Sequence, residues 1–297
     1  MTGLPLQPLA AWLEPRLGRQ LRDLRPVGGG CIHQAWQLVC ADGSRLFAKT
    51  NRAEALALLE AEAHGLEALA RWAPADLLVP RPLALGVAGE RAVLVLPWLE
   101  LTGRNGDWSQ LGRGLARLHR ASGADHGGRG FGLETDNFIG SAPQRNGWRS
   151  GWASFFAECR LRPQLEWAAA AGLALHGAAE LLEHLPDWVE AHGCEPVLVH
   201  GDLWCGNAGL VAGGGGAIFD PACYWGDREV DLAMAGLFGG FPQAFFEGYS
   251  REWPLPPGAE RRCEIYNLYH LLNHANLFGG GYLRQAQAVV DRLVGRA

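Results

Sequence analysis

Residues 197–221 read VLVHGDLWCGNAGLVAGGGGAIFDP, and this stretch constrains the fold more than any other part of the chain. Two short apolar pieces each close on polar residues, and the run from Gly213 to Gly216 is short enough to be a tight connection between strands. Strand, turn and strand then let Asp202, Asn207 and Asp220 converge. Of the 297 residues 48% are hydrophobic and 19% charged, which excludes a wholly disordered chain or a coiled coil. The length suits one large domain or two medium ones.

The first hundred residues read as strands around one helix. Leu24 to Val39 is strand, glycine turn and strand, and a turn at Asp42-Gly43 returns into RLFAKT. From Ala53 to about Trp72, Leu56, Leu59, Leu66 and Leu69 recur at helical spacing. RPLALGV and RAVLVLPWL follow as strands joined at Gly89-Glu90. After Glu100 the chain turns helical over Asp107 to His119, loop-like and rich in glycine and asparagine over Phe131 to Trp148, and helical from Trp152 to about Leu185 with a break near Gly172. The expectation is an α+β fold of two lobes. Residues 1–100 would form a small antiparallel-sheet, nucleotide-binding lobe with one main helix, and residues 101–297 a larger, mostly helical catalytic and acceptor-binding lobe. A ligand would occupy the cleft between them.

Asp202 with Asn207 five residues on has the spacing of the protein-kinase catalytic loop, where the aspartate is the base and the asparagine a metal ligand. Asp220, 18 residues beyond Asp202, stands where that fold places the metal-binding aspartate of its DFG motif. Lone aspartates and asparagines often only cap turns, but this ordered set points to phosphoryl transfer. Lys49 closes an apolar strand, and Glu62 shares the helical stripe of Leu59 and Leu66. A carboxylate aimed into the core requires a partner, and Lys49 is the natural one. Gly28, Gly29 and Gly30 could bring backbone amides close to phosphate oxygens, and Cys31 beside them could be an oxidation-sensitive thiol. Neither GxxxxGK[ST] nor a strand-to-helix GxGxxG is present, which excludes P-loop and Rossmann readings.

Over nearly its whole length the chain resembles the fructosamine/ketosamine-3-kinase family, within the wider aminoglycoside phosphotransferase-like group. GGGCIHQAW, LFAKTN, EAEAHGLEAL, FGLETDNFIGSAPQRNGW, LVHGDLWCGNAG, IFDPACYWGDREVDLAM and LFGGFPQAFFEGY carry the likeness. The resemblance implies a protein-kinase-like fold with ATP as donor and Mg2+ as cofactor. It makes Asp202 the catalytic base, puts Asn207 and Asp220 on the metal, and has Lys49, held by Glu62, on the phosphates. The acceptor it implies is the 3-hydroxyl of a ketosamine, a glycated small amine or protein side chain, in deglycation. A kinase for another sugar or amino alcohol, and a nucleotide-binding protein without catalysis, are the alternatives.

The chain departs from the family pattern at Trp225-Gly226-Asp227, where relatives commonly carry histidine, and at Cys205, where glycine is common. Asp227 would line the acceptor pocket or else sit on a solvated turn. Trp204 would stack on the sugar or else pack into the core. His200 is expected to fix the loop by hydrogen bonding, and His119 to be structural. A formal charge of −5 gives no basic surplus for nucleic acid or membrane. No apolar run reaches spanning length and no signal peptide is legible, so a cytoplasmic protein is expected. Seven scattered cysteines without CxxC argue against a disulfide framework or a structural zinc site.

Overall fold

The computed structural model describes residues 6–28, 32–103, 106–190 and 192–295. Helix α1 (Leu6–Leu17) precedes strands β1 (Leu21–Val27), β2 (Gln34–Cys40) and β3 (Arg45–Arg52), then helix α2 (Leu56–Trp72), β4 (Leu77–Leu78), β5 (Ala84–Ala88) and β6 (Arg91–Pro97). An antiparallel sheet runs in the order β1-β2-β3-β6-β5. Its pattern explains the uninterrupted apolar run of β6. Ala92, Leu94 and Leu96 pack with Leu59, Leu66 and Leu69 of α2, whereas Val93 and Val95 pack with Leu9 and Leu13 of α1. A strand covered on both faces has no wet side to alternate with. The reading of strands around one helix therefore omitted α1, which covers the face opposite α2.

The larger lobe begins with α3 (Trp108–Ala124), followed by the hairpin β7 (Asn137–Ile139) and β8 (Ala142–Gln144). Next come α4 (Trp152–Phe156), a π-helical turn Ala157–Leu161, α5 (Arg162–Ala170) and α6 (Ala178–Val189). Four short strands follow: β9 (Val197–Val199), β10 (Ala208–Leu210), β11 (Gly216–Ile218) and β12 (Tyr224–Gly226). Helices α7 (Glu229–Leu237), α8 (Gln243–Glu252), α9 (Ala259–Phe278) and α10 (Tyr282–Leu293) complete the chain. Helices α3 and α8 meet at two glycines. A Cβ on Gly112 would lie 2.0 Å from the Phe245 carbonyl oxygen, and one on Gly248 would lie 2.1 Å from that of Ser109. Helix α9 is buried along much of its length, with Ile265, Leu268 and Leu272 inaccessible to solvent.

Two small ladders position the polar residues. β10 and β11 pair antiparallel with Ala208 opposite Ile218, and β9 and β12 pair antiparallel with Val199 opposite Tyr224. Strand β4, from the first hundred residues, joins the β10–β11 ladder by parallel pairing with β11. Among the described residues no helix is long and apolar enough to cross a membrane.

Candidate active site

Alternation along β3 puts Lys49 on the face of Phe47, the face that packs toward α2. Its Nζ lies 2.8 Å from Glu62 Oε1 and 2.7 Å from Asp220 Oδ1. Lys49 and Glu62 are 9% and 5% exposed, whereas the Asp220 side chain is 47% exposed, so the pair is buried and the third member reaches the surface. Burial disfavours the Lys49 ammonium, yet the charges of Glu62 and Asp220 outweigh it and hold its pKa above the ordinary value. Burial also raises Asp220, but Lys49 more than reverses this and keeps the group an anion.

The ladder β10–β11 brings Asn207 to Asp220. At its end the Phe219 amide donates to the Asn207 carbonyl oxygen (3.0 Å). Asn207 Nδ2 donates to Asp202 O (2.9 Å), to Asp202 Oδ2 (3.2 Å) and to Asp220 O (3.3 Å). Asp220 has φ 62°, the only non-glycine among the described residues in that region. Aspartate tolerates this conformation better than most residues, and strain of this kind is commonly found at active sites. Burial and then the charge of Asp220 push Asp202 up to about 8, giving it a high affinity for a proton.

The Asp202 loop is held from behind by Asp231 of α7. Its two carboxylate oxygens accept from the His200 amide (2.7 Å) and the Gly201 amide (2.8 Å), and Oδ2 also contacts His119 Nε2 (3.1 Å). His119 is fully buried and reaches Tyr249 through its other nitrogen (2.9 Å). His200 lies 3.0 Å from the Phe219 carbonyl through Nε2, and its Nδ1 accepts from the Asp202 amide (3.3 Å). These partners assign the neutral tautomer with the proton on Nε2, and burial lowers its pKa in agreement. Gly201 has φ +79°, and a Cβ there would lie 2.1 Å from the Ala222 carbonyl oxygen. No other residue type fits that crossing.

Three parts of the site were not legible in the sequence as positioning elements. Asn137 Nδ2 donates to the Cys223 carbonyl (2.8 Å), and Gln144 Nε2 to the Ala222 carbonyl (3.1 Å), so the β7–β8 hairpin clamps the segment that follows Asp220. His33 lies close to Lys49 and Asp220. Burial, with the Lys49 charge adding to it, lowers the His33 pKa to about 4 and keeps the ring neutral. Asp231, 29 residues from Asp202, gave no local signal of its task. The available signals were His33, three residues after the glycine turn, and the asparagines of Phe131 to Trp148.

The remaining candidates divide. Trp204 is 38% exposed beside Asp202, which removes the core-packing alternative; its ring covers Gly206, where a Cβ would meet Trp204 Cζ2 at 2.3 Å. Asp227 neither lines an open pocket nor sits on a solvated turn. It is 2% exposed and bonded to His192, Tyr266 and the Glu229 amide, because it closes the β12 ladder against α7 and α9. Gly28 is exposed, with open space where a Cβ would stand. Gly29, Gly30 and Cys31 lie outside the described residues, as does any redox role for Cys31. Asn207 spends its amide nitrogen on the loop, which turns its oxygen away from those partners, and Asp220 presents a half-exposed carboxylate. Hard oxygen donors of this kind fit magnesium.

The model of the family described as "Fructosamine kinase" matches residues 6–296. The chain is 44% identical over 292 residues to the Synechocystis sp. protein named "Probable ketoamine kinase", covering 97% of this chain and 96% of that one. It is 36% identical over 296 residues to the chloroplastic protein-ribulosamine 3-kinase of Arabidopsis thaliana, covering 98% and 89%. Among solved structures, a Thermobifida fusca protein provisionally designated a fructosamine-3-kinase superposes with TM-score 0.85 at 29% identity, covering 99% and 100%.

Proposed function

This chain belongs to the fructosamine kinase family, and on that premise we propose that it transfers the γ-phosphoryl group of ATP to the 3-hydroxyl of a ketosamine. The observation that supports the chemistry is the continuous set of contacts Glu62, Lys49, Asp220, Asn207 and Asp202 at one place in the cleft. Lys49 supplies positive charge to phosphate oxygens, and Glu62 keeps it aimed while buried. Asp202 orients the acceptor hydroxyl and takes its proton as the oxygen attacks. Asn207 and Asp220 are the residues that would hold Mg2+, which when bound neutralises charge on the phosphates. Transfer of this kind depends on positioning and fixed charge more than on covalent chemistry, and the anchored loop supplies both.

The acceptor is a ketosamine on a small amine or on a protein side chain, and phosphorylation prepares it for deglycation. The exposed ring of Trp204 stacks on the sugar face. Gly206→Ala tests that placement, since the added methyl must displace the ring. Loss of one stacking contact, about 0.5–1.5 kcal/mol, predicts an acceptor KM raised roughly 2- to 12-fold with the ATP KM unchanged. An unchanged acceptor KM removes Trp204 from the acceptor site.

The direct test is magnesium-dependent ADP release from ATP with ribulosyl-, erythrulosyl- and fructosyl-lysine, with unmodified lysine as the blank. Release that requires a ketosamine is expected. Release with none of the three, in protein that still binds ATP, would overturn the acceptor assignment.

A further inference from the structure

Outside the phosphoryl-transfer cluster, the described residues hold one group of metal-ligating type, a ring nitrogen of His192, Sγ of Cys194 and a carboxylate oxygen of Asp227. These three atoms lie within 4.8 Å of one another. The fold brings them together at one end of the β9–β12 ladder. Val197 pairs with Gly226, so the segment entering β9 runs beside the residue that leaves β12. His192 and Cys194 lie in the connection between α6 and β9, and Asp227 lies between β12 and α7.

Two further observations point to a ligand here. The His192 side chain is 7% exposed, yet its Nδ1 has no hydrogen-bond partner. An unsatisfied polar atom at such depth is uncommon and calls for an explanation. Asp227 is a buried carboxylate whose partners are His192, the Tyr266 hydroxyl (2.6 Å) and the Glu229 amide (3.0 Å). The adjacent guanidinium of Arg262 is already committed to Glu229 by two bonds of 2.8 Å. No arginine or lysine among the described residues pairs with Asp227.

We propose that His192, Cys194 and Asp227 bind a divalent cation of the zinc class. Imidazole, thiolate and carboxylate together suit Zn2+ and Co2+, whereas a thiolate is a poor ligand for Mg2+. With the thiol proton released, Cys194 and Asp227 carry two negative charges, and a divalent ion cancels both within a half-buried site. The supporting contacts are already in place. Tyr266 and the Glu229 amide orient the Asp227 carboxylate, and Trp152 Nε1 donates to the Tyr266 hydroxyl (2.9 Å). The ion ties the entry of β9 to the start of α7, the helix whose Asp231 holds the Asp202 loop. It therefore stabilises the loop from behind and takes no part in the transfer. Neither the CxxC spacing nor a local run announces this site, because the third ligand lies 33 residues beyond Cys194.

The test uses the full chain stripped of metal by a chelator and then given Co2+ or Zn2+. Co2+ is expected to bind at about one ion per chain, with the intense visible bands of a tetrahedral site and a thiolate charge-transfer band. That band disappears in Cys194→Ser and persists in Cys263→Ser, which replaces a free, half-buried cysteine of α9. Zn2+ in excess raises the melting temperature of the parent by about 5 °C and leaves that of His192→Ala unmoved. Asp227→Asn keeps the thiol and weakens Co2+ binding at least about tenfold, which provides a reading should Cys194→Ser fold poorly. A parent without the charge-transfer band, or a band that survives Cys194→Ser, overturns the site.

Discussion

Asp202→Asn is expected to lower kcat by about 10³-fold while changing the ATP affinity by no more than a few fold. The substitution preserves shape, and its side-chain oxygen can still accept from Asn207 Nδ2, so the loop keeps its conformation. What is lost is a group able to take the hydroxyl proton. Steady-state ADP release with the acceptor, set beside nucleotide binding by calorimetry, separates the two effects. A loss of only about tenfold in kcat would reduce Asp202 to orienting the hydroxyl and would place the proton elsewhere. His200 is no substitute, because its Nδ1 is occupied by the Asp202 amide and its Nε2 by the Phe219 carbonyl.

The second large effect falls on stability. Asp231→Ala is expected to cost about 3–5 kcal/mol, measured as a lower urea midpoint at unchanged slope, and to abolish activity with it. The carboxylate is completely buried, and its removal strands the His200 and Gly201 amides and deprives His119 of its partner. Asp231→Asn preserves one amide bond but turns an NH2 group toward the other, so it recovers only part of the loss. The pH dependence follows from the same contacts. Burial raises the Asp231 pKa, but the hydrogen bonds from His119 and from the His200 amide reverse this and leave it below the ordinary value. Its contribution is therefore complete above the ordinary carboxylate pKa and disappears as the pH falls through the depressed one. The parent should lose stability at acidic pH more steeply than Asp231→Asn. Equal acid profiles would remove Asp231 from the loop's support.

The polar residues that cluster in the structure were legible where a pattern was broken. Glu62 stood in an apolar stripe, and an acid there demands a buried cation, which Lys49 provides at 2.8 Å. Asp202, Asn207 and Asp220 were legible because two short strands deliver them at fixed spacing. Supports escaped where the partner was distant in sequence. Nothing near Asp227 announced that His192 and Tyr266 would enclose it, and its charge alone suggested a pocket or a wet turn. The β7–β8 hairpin was obscured because strands of three residues carry no readable alternation and their asparagine and glutamine side chains bond to backbone elsewhere. Helix α1 begins without an acidic first turn and contains Pro15, so it offers few of the local signals by which a helix is recognised.

The approach of α2 to the Asp220 segment has a mechanical consequence. A Cβ on Gly65 would lie 3.0 Å from Pro221 Cγ and 3.3 Å from Cys223 Sγ, and the Cys223 thiol also contacts the Gly65 carbonyl at 3.6 Å. In protein kinases the equivalent helix is a lever whose swing makes or breaks the lysine–glutamate pair, and so turns the enzyme on and off. Here the lever is seated against the very residues that follow Asp220. Withdrawing it would unpack Pro221 and leave Glu62 without its cation. In this structure the helix stands in its assembled position, and separating Lys49 from Glu62 by moving it would also cost the packing of Gly65 on Pro221 and Cys223.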